Sequence, residues 1–342
     1  MVGCRNVTIN KPNQFVVQDA LGRSIGFSEY PERIVIAGKQ TPMLANFFYL
    51  FPFKDERLLA IENRSQSPDK FLELIDDEYQ SKLILEKGAG VEQMAPLNPD
   101  LVILKTSMKD EIGIGLEEVG IPVIYVSFEN IDDINNDIRV IGKVLDDEER
   151  AEEIIIEYKK IYSEINDRLK SETNGKDVLI LQATNIDQKY SFQVPSIGWL
   201  QTKMIENLKS NPVWVSESLS GGWTEVNFEQ ILNWNPDNIF IINYRGQSNE
   251  ITMGLENDEL WKRFISSNEA NLSPFPCDFT SWDQPDPRWI LGYTWMASEL
   301  YPERIEREYV LETAKNFYTF FYGLKEDFIE SEIIPLISIY LE

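Results

Sequence analysis

Short apolar runs separated by mixed polar stretches dominate the first third of the chain. Phe15-Val16-Val17 is apolar, Asp19-Ala20-Leu21-Gly22-Arg23 carries a turn, and Arg33-Ile34-Val35-Ile36-Ala37-Gly38 reads as a short buried strand ending in glycine. The pattern then alternates: a helix over 44–51, a strand over 58–61 and an acidic helix over 68–79. A strand over 101–104, a helix over 112–119 closed by Gly120, and a strand over 122–126 follow. Short all-apolar strands spaced by helices predict a parallel sheet covered on both faces.

From Ile131 to Leu169 the texture changes, with no proline and a single glycine, Gly142. Asp132-Asp133 and Asp146-Asp147 are candidate caps for two successive helices. In the second, Ala151, Ile154, Ile155, Tyr158, Ile161, Tyr162, Ile165 and Leu169 recur at helical steps. That spacing predicts an amphipathic helix of about 24 residues, about 36 Å long. Alternation resumes beyond it, with strands over 177–181 and 238–242 and helices over 200–208, 259–265, 289–301 and 308–322. The long helix is therefore read as a spine between two sheet-rich halves.

An internal repeat supports two similar lobes. Glu92-Gln93-Met94-Ala95-Pro96-Leu97-Asn98-Pro99-Asp100 precedes the apolar run Leu101-Val102-Ile103. Glu229-Gln230-Ile231-Leu232-Asn233-Trp234-Asn235-Pro236-Asp237 precedes Asn238-Ile239-Phe240-Ile241. Both fit a short helix opened near the Glu, stopped by Asn-Pro and turned by Asp into the next strand. The expected fold is α/β: two similar lobes with central, mainly parallel sheets, joined by a long interlobe helix, with a ligand cleft between them. The boundaries read as an N-terminal lobe over 1–145, a backbone helix over 146–170 and a C-terminal lobe over 171–342.

Composition removes several chemistries. The 342 residues include 32 Lys and Arg against 57 Asp and Glu, a net charge of −25, which disfavours nucleic acid and anionic lipid as partners. Histidine is absent, which removes Ser-His-Asp and Cys-His catalysis and His-ligated haem. Two cysteines, Cys4 and Cys277, make no thiolate metal cluster, and a disulfide between them would tie the N-terminus to a distant loop. No catalytic residue, metal ligand or cofactor is assigned. Met1-Val2-Gly3-Cys4 resembles the last residues of a lipobox, which makes Cys4 a candidate for lipidation.

The ordered set of motifs resembles a known family: solute-binding proteins of ABC importers with a helical interlobe backbone, the class that carries ferric siderophores, haem and cobalamin. The markers are Val17 to Arg23 with Pro31-Glu32-Arg33-Ile34-Val35, Glu92 with Pro99-Asp100-Leu101-Val102-Ile103, and Glu149-Arg150-Ala151-Glu152 opening the interlobe helix. Trp223-Thr224-Glu225-Val226-Asn227-Phe228-Glu229 with Pro236-Asp237, and Ser281-Trp282-Asp283 with Pro287-Arg288-Trp289-Ile290-Leu291, complete the set. The resemblance implies that Glu92 and Glu229, one per lobe, dock into arginine pockets of a permease dimer through charge-assisted pairs. It further implies an extracytoplasmic, monomeric protein that meets the membrane only through a lipid anchor at Cys4, and modest lobe closure limited by the long helix.

Ligand in such a fold lies at the carboxyl ends of the strands. The candidate contacts are Lys39, Gln40, Arg64 and Lys105 in the first lobe. In the second they are Tyr190, Trp199, Trp223, Tyr244, Arg245, Trp282 and Arg288. Aromatic rings suit planar or bulky ligands, and Arg and Lys suit carboxylate or catecholate oxygens. An anionic ferric chelate is therefore the leading cargo. Cobalamin and haem are the alternatives within the fold. Trp223 stands where the family's cobalamin binder has a stacking tryptophan, but its first-lobe counterpart here is Glu86; a haem would need a tyrosine such as Tyr190 or Tyr244. A sugar-processing enzyme using Asp283 and Asp286 beside Trp282 and Trp289 is the alternative of another class, and a scavenger without a transporter would tolerate changes at Glu92 and Glu229.

Overall fold

The computed structural model describes residues 14–52, 55–63, 70–173, 175–186, 189–216 and 221–341. Cys4 and Arg64 lie outside the described residues. The chain opens with an antiparallel hairpin, β1 (Phe15–Gln18) and β2 (Ser24–Phe27). The first lobe is then built on β3 (Ile34–Ile36), β4 (Leu58–Glu62), β5 (Leu83–Leu85), β6 (Leu101–Lys105) and β7 (Val123–Val126). These form one all-parallel sheet in the order β5-β4-β3-β6-β7, with Ile36 level with Ile61 on one side and Ile103 on the other. Every carboxyl end therefore lies on the same sheet edge.

The second lobe carries β8 (Asp177–Ile186), β9 (Lys189–Val194), β10 (Asn211–Pro212), β11 (Thr224–Val226), β12 (Asn238–Ile242) and β13 (Asn271–Pro274). Its order is β11-β9-β8-β12-β13, with β10 beside β8. Strands β8, β10, β12 and β13 run parallel, whereas β9 folds back antiparallel on β8 and β11 joins it antiparallel. The two lobes are thus alike at their centres and differ at this edge, where β9 and β11 pair antiparallel.

Helix Ile131–Val144 is capped by Asn130, whose Oδ1 accepts the Asp133 amide at 3.0 Å, so Asp132 and Asp133 occupy the first turn. The interlobe helix runs Glu148–Arg168, capped by Asp147, and buries Ala151, Ile154, Ile155, Tyr158, Ile161 and Ile165. Its 21 residues span about 31 Å. The two helices meet closely at Gly142, where a Cβ would stand 2.5 Å from the Ala151 Cβ and 2.9 Å from the Asp147 carbonyl oxygen. Only glycine fits there. The helix expected over 68–79 is shorter, Phe71–Ile75, because Asp76 turns the chain: its Oδ1 accepts the Glu78 amide at 2.8 Å, an Asx turn.

The repeated motif has the same geometry in both copies. Asn98 and Asn235 adopt left-handed backbone with φ of 47° in each case, ending their short helices. Asp100 then accepts the Glu32 amide at 3.1 Å and Asp237 the Asp177 amide at 2.9 Å, each pinning the entry of a neighbouring strand. The glutamines act locally, since the side-chain oxygens of Gln93 and Gln230 accept the amides of Gly90 and Asn227, the return half of a capping box. That leaves the adjacent Glu92 and Glu229, both exposed, pointing from first helical turns.

One continuous apolar cluster runs through both lobes and the interlobe helix, while a second lies under the opposite face of the first sheet. Polar stitching joins the lobes as well. Asn46 Nδ2 of the first lobe donates to Asp286 Oδ2 at 2.6 Å, and Tyr158 on the spine donates to the Pro287 carbonyl at 2.9 Å. Arg150 donates to the Leu50 carbonyl at 3.1 Å and the Phe320 carbonyl at 2.7 Å, linking first lobe, spine and last helices.

Candidate functional site

The cleft opens along the carboxyl edge of the first sheet and divides into two chambers. The outer chamber, of about 760 Å³, is lined by Lys39, Lys87, Lys105, Glu86, Glu129 and Trp199 among others. The inner chamber, of about 120 Å³, is lined by Gln40, Glu129, Trp199, Gln201, Trp223 and Tyr244 among others. Gln40, Glu129 and Trp199 line both.

The first-lobe wall is positioned by a buried carboxylate. Glu62, at the end of β4 and 1% exposed, accepts the Gly38 amide at 2.6 Å and the Gly88 amide at 2.7 Å. It thereby ties the loop carrying Lys39 and Gln40 to the loop carrying Glu86 and Lys87. Gly38 has φ of +84° and lies against Met108, a conformation and a spacing that both favour glycine. Gln40 follows with a left-handed φ of 59°, a strained backbone for a side-chain-bearing residue, at the N-terminus of helix Thr41–Phe48. Lys105 closes the wall from the end of β6. Its Nζ donates to the Ser127 carbonyl and pairs with Glu129 at 3.0 Å.

The second-lobe wall is aromatic. Trp199 and Trp223 meet edge to face with centroids 5.5 Å apart and planes at 74°, and Trp223 and Tyr244 at 6.0 Å and 65°. Behind them lies Asp283, wholly buried. Its Oδ2 accepts from the Tyr244 hydroxyl and from Gln201 Nε2, each at 2.9 Å, and its Oδ1 from the Ser281 hydroxyl at 2.5 Å. Burial pushes the Asp283 carboxyl up to about 6, against the pull of those three donors.

Six of the residues expected from sequence line these chambers: Lys39, Gln40, Lys105, Trp199, Trp223 and Tyr244. Tyr190, on β9, and Arg245, exposed in the turn after β12, stand outside both. Trp282 and Arg288 are corrections, since both are wholly buried and committed elsewhere. Arg288 pairs with Asp278 at 3.1 Å and Asp286 at 2.8 Å and lies 4.2 Å over the Phe71 ring; Trp282 Nε1 donates to Asp278 Oδ2 at 3.0 Å. A guanidinium this enclosed is a structural ion, with no open face for cargo. Asp283 and Asp286 are likewise buried behind the wall, Asp286 paired with Arg288, which dissolves the acid/base pair of the enzyme alternative.

Sequence reasoning missed Lys87, Glu129 and Gln201. Glu129 follows β7 and Lys87 follows β5, so the carboxyl-edge rule finds both once the very short β5 is known. Gln201 carries no sequence signal; it is drawn in by Asp283. Among the described residues no group of three His, Cys, Asp or Glu converges as a metal site, and no helix is long and apolar enough to cross a membrane.

Two α/β lobes on a helical spine with a cleft between them define a class of binding protein, and the comparisons with known proteins agree. The family model described as periplasmic binding protein matches residues 75–267, and the chain belongs to that family. It is an extracytoplasmic solute-binding protein of an ABC transporter. The molybdate-binding protein MolA of Haemophilus influenzae is 20% identical over 259 residues, 69% of this chain and 70% of that protein. Among solved structures, a periplasmic solute-binding protein from Veillonella parvula matches with a TM-score of 0.74 at 23% identity, covering 96% of this chain and 98% of that one. CeuE of Helicobacter pylori, solved as a nickel–histidine complex, matches with a TM-score of 0.71 at 17% identity, covering 94% and 99%. At these identities the structural likeness is one of fold.

Proposed function

We propose that the cleft captures an anionic metal chelate of the ferric-siderophore kind and that Glu92 and Glu229 present the loaded protein to the permease. The observation that carries this reading is the pairing of walls: Lys39 and Lys87 on one side, beside Lys105 in its pair with Glu129, and Trp199, Trp223 and Tyr244 on the other. Ammonium groups attract ligand oxygens carrying negative charge, and aromatic faces cover the organic frame of a chelator. The outer chamber falls within the ~300–1,000 Å³ usual for whole-ligand sites and is generous for a bare oxyanion. In this reading residues 1–145 and 171–342 act as lobes about the 146–170 segment, and Cys4 is the lipid attachment point.

The likeness to MolA favours a second reading, a molybdate-type oxyanion held by the same lysines. A thermal-shift screen against ferric chelates, cobalamin, haem and molybdate separates the two. At a hundred times Kd a true cargo adds about 2.7 kcal/mol of stability, which moves a chain of this size by several degrees. A shift with ferric chelates alone supports the first reading, and a shift with molybdate alone replaces it with the second.

A further inference from the structure

The two chambers differ in charge as well as size. The outer one gathers three lysines, whereas among the described residues no Lys or Arg lines the inner one. The Glu129 carboxylate at the junction is already paired with Lys105 at 3.0 Å, while behind the inner chamber lies the buried Asp283 carboxylate, against Tyr244 and Gln201. A carboxylate only accepts hydrogen bonds, so both neighbours must spend donors on it. The Tyr244 hydroxyl proton and one Gln201 amide proton are thereby turned away, so Tyr244 offers the chamber only its oxygen lone pairs, and Gln201 its Oε1 beside one remaining amide proton. Gln40 adds another acceptor, its buried Oε1 having no hydrogen-bond partner.

The rings reinforce this polarity. Trp199, Trp223 and Tyr244 are set at 74° and 65° to their neighbours, so they form successive walls of a box and not one flat platform. An aromatic face carries negative potential and attracts a cation seated against it. A space of about 120 Å³ is too small for a whole chelate and suits a single substituent.

We propose that the inner chamber is a cation subsite that takes an ammonium or quaternary-ammonium group of the cargo, while the anionic part of the same molecule lies against Lys39 and Lys87. The cargo class is then a dipolar chelate bearing an amine. This deepens the preceding reading and rests on it for the outer chamber only. Burial pushes the Asp283 carboxyl up to about 6, while three hydrogen-bond donors favour its ionised form.

The test uses the intact protein and a matched pair of probes: choline and its uncharged carbon isostere, 3,3-dimethylbutan-1-ol. Indole NH signals of Trp199 and Trp223 are followed by NMR as each probe is titrated. Choline should shift both indoles saturably, with the isostere weaker by about tenfold, the order of magnitude of a desolvated cation–π contact. Trp223→Leu should weaken choline by a similar factor while the Trp199 signal still reports. Equal response to both probes, or no saturable response to choline, overturns the cation subsite, and either outcome is read on the unaltered protein. The result is independent of the chelate screen: a protein that binds ferric chelates yet ignores the charge of the probe loses only this inference, and one that selects choline yet ignores chelates retains it.

Discussion

Asp283 Oδ2 lies 2.9 Å from the Tyr244 hydroxyl, and through this bond a residue with no exposed surface sets the hydrogen-bonding character of a cleft wall. The same oxygen holds Gln201, and the other oxygen of the carboxylate holds Ser281. Asp283→Ala strands three donors. It should lower stability by about 3 kcal/mol, in the range for unsatisfied buried groups, and weaken cargo binding. Asp283→Asn, which keeps an acceptor, should recover part of both. Denaturant melts and calorimetric titrations of the two variants check this; equal cargo affinity in all three proteins would remove Asp283 from the account of the cleft.

Glu92 and Glu229 occupy matched positions in the repeat, exposed beside glutamines that fix the helix starts. Reversing either charge, Glu92→Lys or Glu229→Lys, should leave cargo binding intact and abolish most uptake through the cognate permease in reconstituted vesicles. Loss of binding, or unimpaired uptake, would count against docking by these residues.

Arg288 is buried with Asp278 and Asp286 and stacks on Phe71 from the other lobe. Removing one member of such a cluster leaves uncompensated charge in the interior. Arg288→Ala should cost about 3–5 kcal/mol of unfolding free energy. A urea midpoint close to that of the unaltered protein would contradict the structural role.

Asp137 is buried against the amides of Ser127 and Phe128, and burial pushes its carboxyl up to about 7. The native state therefore holds this proton more tightly than the unfolded chain does. The contribution of Asp137 is favourable below the ordinary carboxylate range and is lost as pH rises from about 4 to about 7. Asp137→Asn should flatten that part of the stability–pH curve, by on the order of 1.4 kcal/mol for each pH unit separating the native from the unfolded pKa. Urea unfolding across this pH range compares the two proteins; parallel curves would show that Asp137 does not titrate there.

The chain pattern by itself determined the features that depend on neighbours in sequence. Alternating apolar strands and helices, the spine with its buried stripe from Ala151 to Ile165, and the doubled Glu-Gln to Asn-Pro-Asp motif are local signals, and the structure repeats that motif down to the left-handed asparagines. The carboxyl-edge rule also found Lys39, Gln40 and Lys105, because strand direction in a parallel sheet fixes which loops share an edge. Tertiary structure alone decided which of the 8 tryptophans face the cleft. Trp199 and Trp223 do, while Trp282 goes inside with Arg288, whose partners Phe71 and Tyr318 come from distant segments. It likewise decided the polarity of the inner chamber. Nothing near Gln201 or Tyr244 in sequence announces Asp283, and a hydrogen bond spanning so much chain exists only once packing has excluded water from the carboxylate.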